Sequence, residues 1–318
     1  MKVLSEIAAG TAHGKIILIG EHSVVHNEPA IAIPFTSANA EVTIQKIDGE
    51  STIDSIYHNG KIKDAPHTIH NLIETLTAVC AYFDMNTEGL HITVKSNIPA
   101  ERGMGSSAAV ATALVRALFN LFDGKLTDEL LNQFVSVSEK IAHGNPSGLD
   151  AKVVRSEQSV YFIRDQETEF FTVNLPCYLV IADTGDEGQT GAAVRAVEEL
   201  IKNPLSQGRI LVKELGNMTK KARHFIEKKE LKSLGEILDR AQHNLRQLKV
   251  SNTKLDTLVN VAKANGALGA KLTGGGRGGC MIVLVESEEQ ADEMSAKLQE
   301  AGATKTWIHP LGVSEYDN

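Results

Sequence analysis

Cysteine is scarce in this chain: Cys80, Cys177 and Cys280 form an odd, scattered trio without CxxC spacing. That excludes a disulfide framework or a zinc cluster and predicts a reducing cytoplasm as the working compartment. Long hydrophobic runs are missing too. Nothing approaches about eighteen uninterrupted apolar residues, and the first residues lack a basic segment followed by an apolar stretch and a cleavage site. The expected protein neither spans a membrane nor carries a signal peptide, and a membrane is not among its expected partners. Positive charge is in deficit, with 32 Lys and Arg against 40 Asp and Glu and a net charge of −8. This argues against broad nucleic-acid binding, while leaving room for a local basic pocket around an anionic substrate. Internal repeats and low-complexity tracts are also absent.

Two nucleotide signatures fail on inspection. From Gly10 to Gly14-Lys15 the spacing is one residue short of a Walker A loop, and Ile16 stands where Ser or Thr is needed. Gly274-Gly275-Gly276-Arg277-Gly278-Gly279 satisfies GxGxxG formally, but it leads into the strand-like CMIVLVE instead of a helix. A Rossmann site is thereby excluded.

What is present is a globular composition, 42% apolar and 23% charged over 318 residues, enough for one large or two ordinary domains. Apolar runs and alternation predict strands over 15–19, 30–34, 40–47 and 90–95, near 153–163 and 169–173, and over 178–183. Helical periodicity predicts helices over 67–83, 106–122, 127–142, 190–203, 208–248 and 253–265. The tail reads strand (AKLT), glycine loop (GGGRGG), strand (CMIVLVE), helix (288–301) and strand (TKTWIHP). Strands mixed with packed helices, without regular βαβ repetition, predict an α+β protein, and Pro176 marks the expected boundary between domains 1–176 and 177–318.

Arg102-Gly103-Met104-Gly105-Ser106-Ser107-Ala108-Ala109 places glycines and hydroxyls at the mouth of the apolar helix 108–122. The first amides of that helix, Gly105 to Ala108, have no intrahelical partner and sit at the positive end of its dipole, which suits an anion. Glycine lets the backbone approach a phosphate, and a Ser hydroxyl suits Mg²⁺. The plain alternative is a buried helix capped by Ser.

Farther on, a helix carrying Glu139 ends in the turn His143-Gly144-Asn145-Pro146-Ser147-Gly148, which delivers Asp150. Phosphoryl transfer needs one carboxylate for a metal, another for the attacking hydroxyl and a cation to balance charge. Taken singly, Glu139 also reads as a solvated helix residue, Asp150 as a cap and His143 as a turn residue. Lys15 alone reads as a solvated strand end, and Glu21-His22 as an ordinary turn or as a polar pair for a hydroxyl or carboxylate.

Together, Gly14-Lys15-Ile16-Ile17-Leu18-Ile19-Gly20-Glu21-His22-Ser23-Val24-Val25, Gly103 to Ala109 and Lys271-Leu272-Thr273-Gly274-Gly275-Gly276-Arg277-Gly278-Gly279-Cys280 resemble the three ordered motifs of the GHMP small-molecule kinases. GEHSVVH and HGNPSGLD are similar to the forms of the mevalonate kinase branch. The resemblance spans nearly the whole chain. It implies a two-lobed fold, with a ribosomal-protein-S5-like N-terminal domain and a ferredoxin-like C-terminal domain, and transfer of the ATP γ-phosphoryl group to mevalonate. It further implies Asp150 as the catalytic carboxylate with Lys15 beside it, and Ser107 and Glu139 as Mg²⁺ ligands. Gly103, Gly105, Ser106 and Ser107 would cradle the nucleotide, and Glu21, His22, Thr190 and Gly276 would lie on the substrate side. The family's tendency to dimerise leaves a homodimer open. Another acceptor (phosphomevalonate, homoserine or a sugar) and a non-catalytic metabolite-binding member are the alternatives.

Three sites depart from many relatives. Arg277 puts a bulky cation in the third glycine loop, for contact with phosphate or carboxylate or for solvent. Glu101-Arg102 precedes the phosphate loop where smaller residues are usual, and Gly188 stands where some relatives carry a substrate-touching side chain.

Overall fold

Small residues disguise the first strand. β1 (Ile7–Ile19) opens as IAAGTAHG, where burial is patchy, and only Ile16 to Ile19 form the apolar run that marks a strand in the sequence. The two strands expected at 30–34 and 40–47 are one, β2 (Ala30–Lys46), in which Ala38, Ala40, Val42 and Ile44 alternate into the core. The computed structural model describes residues 6–143 and 148–312. These fall into two units, one drawn from 6–15, 34–99, 105–143 and 148–157, the other from 16–33, 100–104 and 158–312.

In the first unit, the short strands β3 (Thr52–Asp54) and β4 (Asn59–Lys61) pair antiparallel, and β3 runs parallel to β5 (Leu90–Ser96). Neither β3 nor β4 carries an apolar run, which is why the sequence pattern misses them. β5 pairs antiparallel with the later half of β2, from Ala40 opposite Ser96 to Lys46 opposite Leu90. Helices α1 (His70–Tyr82), α2 (Ser106–Leu121) and α3 (Asp128–His143) pack on one another, and α4 (Leu149–Val153) follows. The strand expected from 153 therefore begins later. Phe119 of α2 anchors the helix ends, its ring centroid 4.9 Å from Phe83 and 5.9 Å from Phe134.

In the second unit, β6 (Ser159–Phe162) pairs antiparallel with Ala30 to Ala32 of β2 and with β7 (Glu169–Phe171). A separate antiparallel sheet contains β8 (Tyr178–Asp183), β9 (Gly269–Leu272), β10 (Cys280–Val285) and β11 (Lys305–Pro310) in the order β11-β8-β10-β9. Between β8 and β9 run α5 (Thr190–Lys202), α6 (Gly208–Lys228), α7 (Leu231–Gln247) and α8 (Thr253–Ala264), and α9 (Glu288–Glu300) precedes β11. A β-helices-β-β-α-β path with this strand order is the split βαβ arrangement of ferredoxin-like domains. The 208–248 helix expected from periodicity is two helices. Lys229 takes a left-handed conformation (φ 56°), and its amide donates to the carbonyls of Phe225 and Ile226, so the chain turns before Leu231. Among the described residues, no helix is long and apolar enough to cross a membrane.

α7 buries Leu234, Ile237, Leu238, Ala241 and Leu245 on one stripe. It sits so close to β9 that a Cβ on Gly235 would stand 2.3 Å from the Leu268 carbonyl oxygen. Gly235 is kept there by contact, against its poor helix propensity. Gly235→Ala is expected to lose about 1–3 kcal/mol from overpacking, although Ala is the better helix former by about 1 kcal/mol. Urea denaturation measures this, and an unchanged or higher midpoint would remove the close-packing argument.

Candidate active site

Lys15 lies in the buried half of β1 and is only 2% exposed. Its stem runs past Gly105, where an added Cβ would meet Lys15 Cγ at 2.9 Å. A side chain on Gly105 would push the lysine away, and the residue's φ of 74° favours glycine as well. The Lys15 ammonium pairs with Asp150 Oδ1 at 3.0 Å. Asp150 occupies the first turn of α4, directly after Gly148, whose φ of 83° turns the chain into that helix. Its carboxylate remains 28% exposed, so one member of the pair is sealed and the other stays accessible.

Glu139, on α3, is buried, and its Oε1 has no hydrogen-bond partner. Burial, and secondly the nearby Asp150 charge, push its carboxyl up to about 8, against a hydrogen bond from Ser107 and the charge of Lys15. Ser107 is oriented in turn by Asn71 of α1, whose Nδ2 donates to Ser107 Oγ at 3.3 Å and to Ser138 Oγ at 2.8 Å. An orphaned carboxylate oxygen beside a serine hydroxyl fits a hard divalent cation. The described residues hold no group of three or more His, Cys, Asp or Glu, so any such ion would need ligand oxygens from elsewhere.

Ser106 and Ser107 do not cap α2. The cap position belongs to Gly105, with no side-chain hydrogen bond to the first turn, and Ser106 Oγ instead donates to the Ile98 carbonyl at 3.4 Å. The helix mouth thus offers amide donors without a protein acceptor from its own cap. In the first unit the fold therefore gathers Lys15, Asp150, Glu139, Ser107, Ser106 and Gly105.

The second unit gathers Glu21, His22, Thr190, Gly276 and Gly103. Beyond β1 the chain tightens at once. The Ser23 amide donates to the Glu21 carbonyl at 2.6 Å and the Val24 amide to the Gly20 carbonyl at 3.1 Å. This forces His22 to a φ of 61°, a conformation that costs about 1–3 kcal/mol in a non-glycine residue and persists only where surroundings impose it. The His22 ring is buried with Nε2 3.0 Å from the Gly275 carbonyl oxygen. Burial lowers its pKa to about 4, so the neutral ring donates Nε2–H to that carbonyl. Glu21 is fully enclosed and accepts a hydrogen bond from the equally enclosed Lys271 ammonium on β9.

The third glycine loop is held at several points. Thr273 Oγ1 donates to the Ile17 carbonyl at 2.9 Å, and the Gln189 amide donates to the Gly276 carbonyl at 3.2 Å. Thr190 opens α5 with its hydroxyl against Gly275, where a Cβ would stand 2.1 Å from Thr190 Oγ1. The Gly188 amide donates to the Glu101 carbonyl at 2.7 Å, and Gly103 lies against Gly274. Arg102 is tied to β8 and the loop after it, its Nε on Asp183 Oδ1 at 3.0 Å and its Nη2 on the Gly185 carbonyl at 3.0 Å. Arg277 turns to the loop after α7, its Nε donating to the Lys249 carbonyl at 3.1 Å. The His143 side chain and residues 144–147 of the HGNPSGLD segment lie outside the described residues.

Sequence reasoning includes Lys271 only as the first residue of the third motif, without a role, and singles out neither Asn71 nor Asp183. A lone lysine inside the apolar strand AKLT is the available signal for Lys271. Asn71 has none, since Glu74 and Thr75 on the same helix face make it one polar residue among several.

His22 yields a pH prediction. Its folded pKa of about 4 lies below the ordinary imidazole value of 6.5, so its contribution to stability is present above pH 6.5 and is lost as pH falls toward about 4. His22→Gln, which keeps a side-chain N–H for Gly275, is expected to reduce the loss of stability between those pH values. Denaturant midpoints across that range test it, and identical slopes would place the acid sensitivity elsewhere.

The model of the GHMP kinases N terminal domain matches residues 70–154, and that of the GHMP kinases C terminal domain matches 222–304. Mevalonate kinase of Pyrococcus abyssi is 30% identical, covering 95% of this chain and 95% of that protein. Mevalonate kinase of Aeropyrum pernix is also 30% identical, over 93% of this chain and 97% of its own. Among solved structures, Leishmania major mevalonate kinase in complex with R-mevalonate matches with a TM-score of 0.82 and 26% identity, over 98% of this chain and 100% of that one. Mevalonate kinase from methicillin-resistant Staphylococcus aureus matches with 0.73 and 33%, over 97% and 100%.

Proposed function

Because the chain belongs to the mevalonate kinase family of the GHMP kinases, we propose that it transfers the γ-phosphoryl group of ATP to the 5-hydroxyl of mevalonate, giving 5-phosphomevalonate and ADP. The observation that carries the mechanism is the Lys15–Asp150 pair, 3.0 Å apart with the carboxylate accessible. Asp150 orients the acceptor hydroxyl and receives its proton as the oxygen attacks phosphorus in line with the leaving ADP oxygen. Lys15 balances the negative charge at Asp150 and the reacting oxygen. No covalent phosphoenzyme is needed.

The Gly103-Met104-Gly105-Ser106-Ser107 stretch serves as the phosphate cradle, supported by the uncapped start of α2. Glu139 Oε1 and the Ser107 hydroxyl are the oxygens suited to Mg²⁺, with nucleotide phosphates supplying further ligands. When bound, such an ion would neutralise negative charge on the transferring phosphate. The Glu21-His22 turn, Thr190 and Gly276 belong to the acceptor side. The proposed division of labour falls at Pro176, with phosphate loop and carboxylates before it and the third glycine motif after it. Three free, buried cysteines support a reducing cytoplasm as the compartment.

ADP release with Mg-ATP and, separately, mevalonate, phosphomevalonate, homoserine and galactose tests the reading. Turnover selective for mevalonate is expected, with Asp150→Asn lowering kcat by about 10²–10⁴ while ATP binding is retained. Selective turnover on another acceptor would move the substrate assignment, and none at all in a folded, ATP-binding protein would favour a non-catalytic role. Ser107→Ala is expected to raise the KM for Mg-ATP, whereas Thr190→Ala is expected to raise that for the acceptor. Separate titration of the two substrates distinguishes these effects from the reverse pattern.

A further inference from the structure

The resemblance to GHMP kinases puts Glu21 on the substrate side, yet its carboxylate is 0% exposed. One oxygen takes a hydrogen bond from Lys271, which is also 0% exposed and whose ammonium reaches the Leu272 carbonyl at 2.6 Å as well. A carboxylate sealed in this way has spent its charge inside the protein. What the pair joins is informative. Glu21 lies in the tight turn after β1, and its own carbonyl accepts the Ser23 amide that helps hold His22 at φ 61°. Lys271 lies in β9, from which the chain passes directly to Thr273, Gly274, Gly275 and Gly276.

Two further ties run between the same segments. Thr273 Oγ1 donates to the Ile17 carbonyl, and the His22 ring bonds the Gly275 carbonyl. Thr190 packs its hydroxyl against Gly275. Fixing Glu21 to Lys271 therefore fixes the spacing between the strained His22 turn and the Gly275–Thr190 contact. Hydroxyl and imidazole groups that read a small acceptor must be held within a fraction of an ångström to orient it.

We propose that Lys271 is a positioning residue for the reaction, and that Glu21 serves acceptor binding through its ion pair with Lys271, which sets the placement of His22 and Thr190, instead of by touching the acceptor. This rests on the kinase reading above. It also separates two roles that the shared motif would merge, because a substrate-contacting Glu21 and a pair-forming Glu21 respond differently when both charges are removed. Removing one partner strands a buried charge; removing both leaves none.

The test is a cycle of Lys271→Met, Glu21→Gln and the double variant, with KM for acceptor and for ATP, kcat and thermal midpoint read for each. The wild-type acceptor is first fixed with the substrate panel, so an error in substrate assignment appears there and not in the cycle. Each single variant is expected to raise the acceptor KM about 10–100-fold, the scale of a misplaced orienting group, with the ATP KM changed by less than about twofold. The double variant is expected to return the acceptor KM to within about threefold of wild type, together with its thermal midpoint, because the two losses are not additive. A double variant as impaired in acceptor KM as Glu21→Gln alone would overturn the proposal and make Glu21 a direct contact. Single variants that fold and leave the acceptor KM unchanged, or that raise both KM values alike, would overturn it too. Where a single variant fails to fold, the double variant decides. An acceptor KM near wild type supports the pair, and an increase of about tenfold or more overturns it.

Discussion

Among the described residues two lysines, Lys15 and Lys271, are almost wholly removed from water, and the arrangement around each depends on how its charge is met. Taking an ammonium out of water carries a penalty of several kcal/mol even after the protein relaxes, so each needs a carboxylate in contact. Lys15 has Asp150 and Lys271 has Glu21. The two pairs solve the problem in opposite ways. Lys271 and Glu21 are both sealed, and burial lowers the lysine's pKa against the opposing influence of Glu21. Such a pair has no free face for a reactant, so its use is architectural. Lys15 is sealed, but its partner keeps a quarter of its surface open. A carboxylate fixed by a buried cation while still reachable from outside is what proton handling in phosphoryl transfer requires.

Glu139 shows the same constraint with Lys15 nearby but no cation paired to it. Its buried oxygen lacks a protein partner, and its elevated pKa reports the mismatch. A group left in this state is a local deficit that a cation relieves, and the nearby Ser107 hydroxyl, steadied by Asn71, adds a second oxygen. The three carboxylates thus differ by surroundings, since burial and neighbouring charge decide what the same functional group can do.

Much of this was legible in the sequence where a signal is local. The β10 run CMIVLV, the helix 106–121 and the C-terminal strand-loop-strand-helix-strand order follow from apolar periodicity and punctuation. The long opening of β1 was not, because Ala, Gly and Thr carry little apolar signal. The break at Lys229 was not, because a charged residue in a left-handed cap looks like any solvated helix position. In the candidate site, Lys15, Ser107, Glu139 and Asp150 read individually as ordinary surface or capping residues, and only their joint pattern raised them above that. The role of Lys271 escaped for a different reason. Its partner is 250 positions away in the chain, and no spacing rule links them.

Arg277 illustrates how a departure from a motif is absorbed. A cation in a glycine-rich loop would threaten any small-residue approach if its side chain faced the loop's concave side. Its backbone is left-handed (φ 57°), the amide donates to the Val250 carbonyl at 2.7 Å, and the guanidinium bonds the neighbouring Lys249 carbonyl. That receiving loop is itself firm. Asp256 accepts from Arg246 at 2.7 Å and from Ser251 at 2.6 Å, and Asn252 caps α8 by accepting from the Leu255 amide. Gly276, by contrast, has no such latitude, since a Cβ there would fall 2.1 Å from the Val250 carbonyl oxygen. The loop tolerates a long side chain at Arg277 because that side chain leaves along the loop after α7, and tolerates none at Gly276 because the same loop already fills the space.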